Sequence, residues 1–217
     1  MIPPELPCCT TSTAHPLPNC SCAAGALLKP RLKTAHQPAH LEGALPGRAV
    51  PFNMPGSVLV SGGLGDIGRL AGNWLAAAAP SAHVWLLGRS GRAARGMSSA
   101  LAHHPGCIST AAADVAMAAD VAGLLGRATA LGAPATSGLL HAGAVLRDAL
   151  MPQQTAATMR VVHAPKVAGA LRLAGAATAM PLQDAVQFSS LSALLGTPGQ
   201  SNYAAANAAL DGLAQEW

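Results

Sequence analysis

Short apolar runs alternate with longer alanine- and leucine-rich stretches from Ser57 onward, and this alternation constrains the fold more than any other feature. Each apolar run is continuous rather than alternating between apolar and polar residues, as expected for a strand that is covered on both faces. Strands that alternate with helices in this way build a parallel sheet with helices on both sides. We therefore predict an α/β fold with a doubly wound parallel sheet.

The same pattern places five strands and four helices along the chain. Strands are predicted at Ser57–Ser61, Ala82–Leu87, Cys107–Ala112, Gly138–His141 and Ala185–Ser189. Helices are predicted at about Gly65–Ala79, Ala116–Leu131, Thr155–Ala177 and Tyr203–Trp217.

Residues 1–56 differ in composition from the rest of the chain. Ten of the 17 prolines fall here without a regular period, so we predict a disordered, proline-rich tail or linker ahead of a domain over residues 57–217. The segment holds only two acidic residues, Glu5 and Glu42, which is typical of transit peptides. We expect a cytoplasmic protein, with import into an organelle through this segment as the alternative.

The overall composition excludes several classes of protein. With 51% apolar and 10% charged residues the chain is too hydrophobic to be wholly disordered, and no apolar stretch reaches the ~20 residues of a membrane span. The net charge of +4 comes from scattered Lys and Arg in a chain with 3% aromatic residues, so we predict no nucleic-acid partner. The cysteines at positions 8, 9, 20 and 22 fit no zinc-ligand spacing, so we predict reduced thiols and no metal site.

A glycine-rich sequence follows the first predicted strand directly and opens the first predicted helix. Glycines in such a loop permit a tight turn, a close approach of the backbone to a pyrophosphate, and close packing of the helix on the strand. The helix N-terminus then offers unpaired N–H groups to the phosphates. This context favours a dinucleotide site in a Rossmann-like fold over a plain turn. The predicted phosphate-binding residues are Gly62, Gly63, Leu64, Gly65, Asp66, Ile67 and Gly68.

The residues after the second predicted strand indicate which dinucleotide binds. Arg89 stands where an acidic residue would bind the 2′-hydroxyl of NAD, and its guanidinium suits a 2′-phosphate, with the Ser90 hydroxyl as a second donor. NADPH is therefore the expected cofactor; the alternative for Arg89 is a solvated loop residue. Asp114 and Val115, after the third predicted strand, are expected to contact the cofactor. Asp114 is placed to accept from the adenine amino group, and the equal alternative is that it caps the following helix.

A second set of polar residues lies in the C-terminal half. Ser190 follows the fifth predicted strand, and Tyr203, the one tyrosine of the chain, comes 13 residues later and opens a helix. Asn207 is one helical turn beyond Tyr203 on the same face. Lys166 lies 24 residues before Ser190, in the preceding predicted helix. Each residue also has a structural interpretation: a strand-end cap for Ser190, a local hydrogen bond for Asn207, and a solvated helix position for Lys166.

These residues and the glycine loop together resemble the short-chain dehydrogenase/reductase superfamily, and within it the ketoreductase domains of polyketide synthases and animal-type fatty acid synthases. Most members have a lysine four residues after the tyrosine. The synthase ketoreductases have asparagine there and take the lysine from the earlier helix, as this chain does. Five motifs over residues 57–217 carry the resemblance: SGGLGDIG, LLGRSG, PKVAGAL, FSSLSALLGTPGQ and YAAANAALDGLA.

The resemblance implies NADPH-dependent reduction of a β-ketoacyl thioester, carried by an acyl carrier protein, to the β-hydroxyacyl thioester. Tyr203 would be the general acid that protonates the carbonyl oxygen as hydride arrives from the nicotinamide. Lys166 would stabilise the tyrosinate, Ser190 would hydrogen-bond the developing oxyanion, and Asn207 would hold a water or the lysine. Lys166 and Tyr203 would also contact the cofactor.

The segment after the fourth predicted strand, His141, Ala142 and Gly143, is expected on the same resemblance to lie at the nicotinamide ribose. The family has Ala-Gly where this chain has Gly143-Ala144, and this exchange predicts a displaced turn. Leu146-Arg147-Asp148 partly matches the Leu-Asp-Asp signature of ketoreductases that form one alcohol configuration. Leu195 replaces the tryptophan of the opposite class, so we expect the Leu-Asp-Asp class.

The family pattern extends beyond this chain at both ends. The resemblance implies a structural half before the catalytic half, and a lid, two strands and a tryptophan-containing segment after Trp217. We therefore expect the catalytic half of a larger reductase or a truncated product, with Ala185–Ser189 as an uncovered edge strand and other synthase domains as partners. The alternatives are a non-catalytic nucleotide-binding or interaction module and a free-standing short-chain dehydrogenase.

Overall fold

One parallel sheet organises the described part of the chain. The computed structural model describes residues 56–92 and 107–215. Its strands are β1 Ser57–Ser61, β2 His83–Gly88, β3 Ile108–Ala112, β4 Thr136–His141 and β5 Asp184–Gln187. They pair in parallel in the order β3-β2-β1-β4-β5. The predicted doubly wound sheet is confirmed, with β5 at an edge of the described sheet.

In the part of the chain that the structure describes, helices follow β1, β3, β4 and β5, and they cover both faces of the sheet. In the described residues they are α1 Asp66–Ala78, α2 Ala118–Ala130, α3 Ala156–His163, α4 Gly169–Ala177, α5 Ser192–Leu195 and α6 Ser201–Leu213. A five-residue π-helical turn, Ala164–Ala168, joins α3 to α4, and a 3₁₀ turn covers Met151–Gln153. The sequence predicts one continuous helix over Thr155–Ala177, and the π turn inside it is a finding of the structure.

The predicted ends of elements differ from the observed ends by a few residues. The second helix begins at Ala118 with Met117 as its N-cap, so the alternative prediction that Asp114 caps it is wrong. β4 begins at Thr136, two residues before the predicted start at Gly138. Polar Thr136 and Ser137 extend the strand because both are buried in it, which an apolar pattern does not reveal. The predicted tail over residues 1–56 lies, apart from Gly56, outside the described residues.

Two apolar clusters, one on each face of the sheet, explain the continuous apolar runs of the strands. Val58 and Val60 of β1 pack with Leu75 of α1, and Leu59 packs with Leu124 of α2 and Leu173 of α4. Successive strand residues point to opposite faces, so both faces of β1 must be apolar. No helix in the described ranges is long and apolar enough to span a membrane.

Candidate active site

The glycine loop after β1 is built so tightly that three of its positions admit no side chain. Gly62 has a φ of +66°, and a Cβ there would lie 2.7 Å from the carbonyl oxygen of Ala142. A Cβ at Gly63 would lie 2.6 Å from the Val60 carbonyl oxygen, and one at Gly68 would overlap the carbonyl oxygen of Gly62. The loop is thus a cradle of bare backbone, which is what a pyrophosphate requires.

The loop leads directly into the N-terminus of α1. Gly65 is the N-cap, in extended conformation, and no side chain caps the helix. Asp66 and Ile67, in the first turn, are exposed. The first amides of a helix lack intrahelical partners, so this end can receive an anion. Leu64 of the loop lies over the end of β2, where a Cβ on Gly88 would be 2.8 Å from its Cδ1 atom.

The ends of β2 and β3 lie beside this loop. Arg89 and Ser90 are exposed directly after β2, and the Ser90 hydroxyl oxygen accepts a hydrogen bond from the Arg92 amide at 3.2 Å. The Asp114 carboxylate accepts from the amide of Ala116 at 3.0 Å, which closes a turn ahead of α2. The Asp114 amide in turn donates to the carboxylate of Asp120 at 2.8 Å, a residue that sequence reasoning missed.

Val115 is a core residue rather than a lining residue of the cleft. Its side chain is buried in the cluster with Leu59 and Leu173. A Cβ at Gly169 would lie 2.8 Å from Val115 Cγ2, so the π turn and α4 pack closely on it. Val115 therefore leaves only its backbone for the predicted cofactor contact.

Lys166 lies in the π turn between α3 and α4, and its side chain is buried. The residue is 2% exposed, so the solvated-lysine interpretation is wrong. Its Nζ donates to the Phe188 carbonyl oxygen at 2.9 Å and lies 5.3 Å from the centroid of the Tyr203 ring. Burial lowers the pKa of Lys166 to about 8, and the negative charge of Asp211 opposes that shift. π turns of this kind are frequent at functional sites.

Tyr203 is held at the start of α6 by a buried asparagine. Asn202 accepts the Tyr203 amide on its Oδ1 at 2.7 Å and donates from Nδ2 to the Arg147 carbonyl oxygen at 2.7 Å. It thereby ties the loop after β4 to the helix that carries Tyr203. A second tie joins the same segments, because Gln200 Nε2 donates to the Asp148 carboxylate at 3.0 Å.

Asn207 and Ser190 complete the set. Asn207 Nδ2 donates to the Tyr203 carbonyl oxygen at 2.8 Å, so the predicted local hydrogen bond is confirmed, and its buried Oδ1 has no partner among the described residues. The Ser190 oxygen accepts the Ser192 amide at 3.2 Å, which makes it a turn cap three residues beyond β5. An oxygen that accepts in this way keeps its own proton for donation.

His141, at the end of β4, is fully enclosed. Its Nδ1 lies 2.5 Å from the Ser61 hydroxyl oxygen and its Nε2 lies 2.9 Å from the Lys166 carbonyl oxygen. The pKa of His141 is lowered from its ordinary value, mainly because the ring is buried. Both ring nitrogens are therefore used inside the protein, and a cofactor contact at this residue is left to the backbone.

The segment after His141 carries the exchanged order, Gly143 before Ala144. The Ala142 amide donates to the Ser61 carbonyl oxygen at 3.0 Å, which continues the pairing of β4 with β1. A Cβ at Gly143 would meet its nearest atom, the Pro165 carbonyl oxygen, at 3.5 Å, an ordinary contact. Gly143 also needs no left-handed conformation. This backbone would therefore accept alanine at 143 as well as glycine, and the displacement of the turn stays a prediction.

The glycine loop after β1, His141 at the end of β4, and Lys166, which bonds Phe188 after β5, lie at the carboxyl end of the sheet. β1 and β4 are neighbours there although they are not consecutive strands of the chain, and such a switch point is where nucleotides bind in an open parallel sheet. A glycine cradle for a pyrophosphate lies at one side of that point, and a buried lysine, a tyrosine and a serine lie at the other. This combination defines the nucleotide-dependent short-chain dehydrogenase/reductase class. The chain belongs to one family of that class, the KR domain, whose sequence profile matches residues 56–217.

Curated relatives are long polyketide synthase proteins. NorA' of the spectinabilin polyketide synthase system of Streptomyces orinoci is 33% identical over 97% of this chain and 6% of that protein. The polyketide synthase ThaG of Burkholderia thailandensis is 36% identical over 81% of this chain and 3% of that protein. The 6-methylsalicylic acid synthase of Penicillium terrestre is 34% identical over 76% of this chain and 10% of that protein. The chain thus spans a tenth or less of these three proteins.

Solved ketoreductases have the same fold. PlmKR1, from the first module of phoslactomycin biosynthesis in Streptomyces sp. HK803, is 35% identical with a TM-score of 0.70, over 77% of this chain and 39% of that chain. An A-type ketoreductase from a modular polyketide synthase is 33% identical with a TM-score of 0.69, over 79% and 36% of the two chains. The predicted family and the predicted Rossmann-like fold are confirmed.

Proposed function

We propose that this chain is the catalytic half of a ketoreductase that uses NADPH to reduce a β-ketoacyl thioester on an acyl carrier protein to the β-hydroxyacyl thioester. The observation that carries the proposal is the buried Lys166 ammonium 5.3 Å from the Tyr203 ring, at the same carboxyl end of the sheet as the glycine cradle. If Lys166 were solvated, or if Tyr203 packed far from it, the ammonium could not stabilise a tyrosinate and the proposal would lack support.

The side chains divide the chemistry between them. NADPH, when bound, supplies the hydride that reaches the carbonyl carbon. Tyr203 donates its phenolic proton to the carbonyl oxygen, on which negative charge grows, and Ser190 donates a hydrogen bond to the same oxygen. The Lys166 ammonium stabilises the tyrosinate that results. The free Oδ1 of Asn207 is an acceptor one helical turn away, suited to a water that returns a proton to the tyrosinate.

The surface after Ser190 suits an apolar acyl chain. Leu191, Leu194 and Leu195 follow it in and beside α5, and Leu195 is 80% exposed. Exposed apolar side chains grouped in this way are typical of a ligand or partner surface. They favour an acyl substrate delivered by a carrier protein and contacts with other synthase domains. A cytoplasmic location stays a prediction.

Two adjacent serines give the test of this function a matched control. We expect the chain to oxidise NADPH only when a β-ketoacyl thioester such as acetoacetyl-N-acetylcysteamine is added. Ser190→Ala should lower kcat by about 100-fold, the usual effect of removing an oxyanion donor. Ser189→Ala removes an exposed hydroxyl that donates to the Asn207 backbone carbonyl at 3.4 Å, and it should change kcat by less than about threefold, as measured by NADPH absorbance. NADPH binding without oxidation in the wild-type chain would favour the non-catalytic module instead.

Arg89 should decide between NADPH and NADH. Arg89→Ala removes an exposed guanidinium after β2 that we assign to the 2′-phosphate. The Kd for NADPH should rise about 10- to 100-fold, the worth of a charge-assisted hydrogen bond, while the Kd for NADH stays the same. Arg92→Ala, which removes an exposed arginine three residues away, is the control. Equal losses for both cofactors, measured by calorimetry, would contradict the assignment.

A further inference from the structure

One buried side chain joins the glycine cradle to the lysine of the site. His141 is 1% exposed, and its ring lies between the Ser61 hydroxyl, at the start of the glycine loop, and the backbone carbonyl of Lys166, in the π turn. These two segments are 105 residues apart in the chain. In the described residues, this imidazole is the side chain that hydrogen-bonds both.

The chemistry of the two partners fixes the protonation of the ring. A carbonyl oxygen can only accept, so Nε2 of His141 carries the proton and donates to Lys166. The other ring nitrogen of a neutral imidazole then accepts, and the Ser61 hydroxyl donates to it. A second proton on the ring would place a buried cation beside the Lys166 ammonium and leave the Ser61 hydroxyl without its acceptor.

Small residues around the ring permit this contact. Gly169, directly after the π turn, faces the ring: a Cβ there would lie 3.1 Å from His141 Cε1. Gly143 is on another side, with Cε1 at 3.7 Å from its Cβ position. The imidazole therefore packs directly against the π turn. Since the ring also hydrogen-bonds the Lys166 carbonyl oxygen, it helps to fix the position of the Lys166 backbone.

We propose that His141 is a positioning residue, whose neutral ring holds the Lys166 carbonyl and thereby sets the ammonium between the Phe188 carbonyl and Tyr203. The two hydrogen bonds of the ring, from Ser61 and to Lys166, form what we call the histidine bridge. The proposal rests on the proposed function for its catalytic consequence, but the bridge itself is a property of the chain without cofactor. The charged or titratable groups that act on Lys166 in the described residues are Asp211 on α6, Tyr203 on α6 and His141 on β4.

Substitution of His141 by asparagine or glutamine tests the two hydrogen bonds of the bridge separately. The amide of asparagine reaches the position of Nδ1, so His141→Asn keeps the contact with Ser61 and loses the one with Lys166. The amide of glutamine reaches the position of Nε2, so His141→Gln keeps the donor to Lys166. We expect His141→Asn to lower kcat about 10- to 30-fold and His141→Gln to stay within about threefold of wild type.

The decisive readout does not need turnover. Lysine labelled with ¹³C at Cε reports the titration of Lys166 by NMR in the chain without cofactor. In His141→Asn the released turn should expose the ammonium, so the pKa of Lys166 should rise from about 8 toward its ordinary value, whereas in His141→Gln it should stay. His83→Asn is the matched control, because His83 also contacts a serine hydroxyl, Ser109, but at the opposite end of the sheet.

A second measurement covers the case in which His141→Asn does not fold. Long-range ¹H–¹⁵N correlations on the wild-type chain should show His141 as the Nε2–H tautomer, with a pKa below the ordinary histidine value because the ring is buried. A ring that titrates at the ordinary histidine pKa overturns the proposal, as does equal behaviour of the asparagine and glutamine variants. If the wild-type chain reduces no thioester, the proposed function fails, and the two NMR measurements still decide on the bridge.

Discussion

Tyr203→Phe should lower kcat for thioester reduction by about 10³-fold while the Kd for NADPH changes less than about threefold. The substitution removes one oxygen, the only proposed source of the proton for the carbonyl oxygen. Phenylalanine keeps the ring, which contacts the Lys166 ammonium at 5.3 Å, so the lysine keeps its aromatic neighbour. The two quantities are read from NADPH oxidation and from NADPH fluorescence titration.

The single tyrosine of the chain makes this experiment clean. With one Tyr in 217 residues, the loss of the phenol is verified by the loss of all tyrosine absorption from the variant. Unchanged thermal unfolding would show that the variant keeps the fold, as expected because Asn202 bonds the backbone amide of residue 203 and not the phenol. A phenylalanine variant with a tenth of the wild-type kcat would mean that another group or water supplies the proton.

The strand pattern of the sheet was predictable from sequence because it depends on local composition. β1 was predicted to the residue, since its apolar run ends at the first glycines of the loop, and the other strands were within a few residues. The π turn was not predictable, because it inserts one residue in a helix whose apolar pattern continues on both sides. Only the register of backbone hydrogen bonds distinguishes it from α-helix.

The active-site residues were found through their combined resemblance to a family, not through spacing alone. Lys166 and Tyr203 are 37 residues apart, and no periodicity places an ammonium over that ring. His141 and Asn202 were not recognised as positioning residues because each bonds the backbone of a distant segment, Lys166 and Arg147 respectively. Any residue type can supply a backbone carbonyl, so such a partner leaves no mark in the sequence.

Lys166→Met should distinguish the contribution of the ammonium to catalysis from its contribution to folding stability. Methionine fills the space of the lysine stem but carries no charge, so the tyrosinate loses its stabilising cation and kcat should fall by about 100- to 1,000-fold. The wild-type pKa of about 8 adds a pH signature. Because catalysis requires the ammonium, kcat/KM for the thioester should fall as the pH rises through about 8 in the wild-type chain, and this fall should be absent from the variant.

Stability should move in the opposite direction from activity. Burial lowers the pKa of Lys166 from 10.5 to about 8, so between these pH values the unfolded chain binds more protons than the folded one. The free energy of unfolding should therefore rise with pH across that window, and the buried charge should cost stability below pH about 8. Lys166→Met removes this cost, so at pH 7 the variant should unfold at a temperature no lower than wild type despite its inactivity.

Denaturant unfolding of both chains at several pH values tests this argument. The stability difference between the variant and wild type should be largest at neutral pH and should shrink as the pH rises from about 8 toward 10.5. Arg172→Met, at an exposed cation of α4, is the control and should show no such convergence. A variant that is less stable at every pH would mean that the bond from Nζ to the Phe188 carbonyl is a structural requirement, and that the buried ammonium is kept for the fold as much as for the reaction.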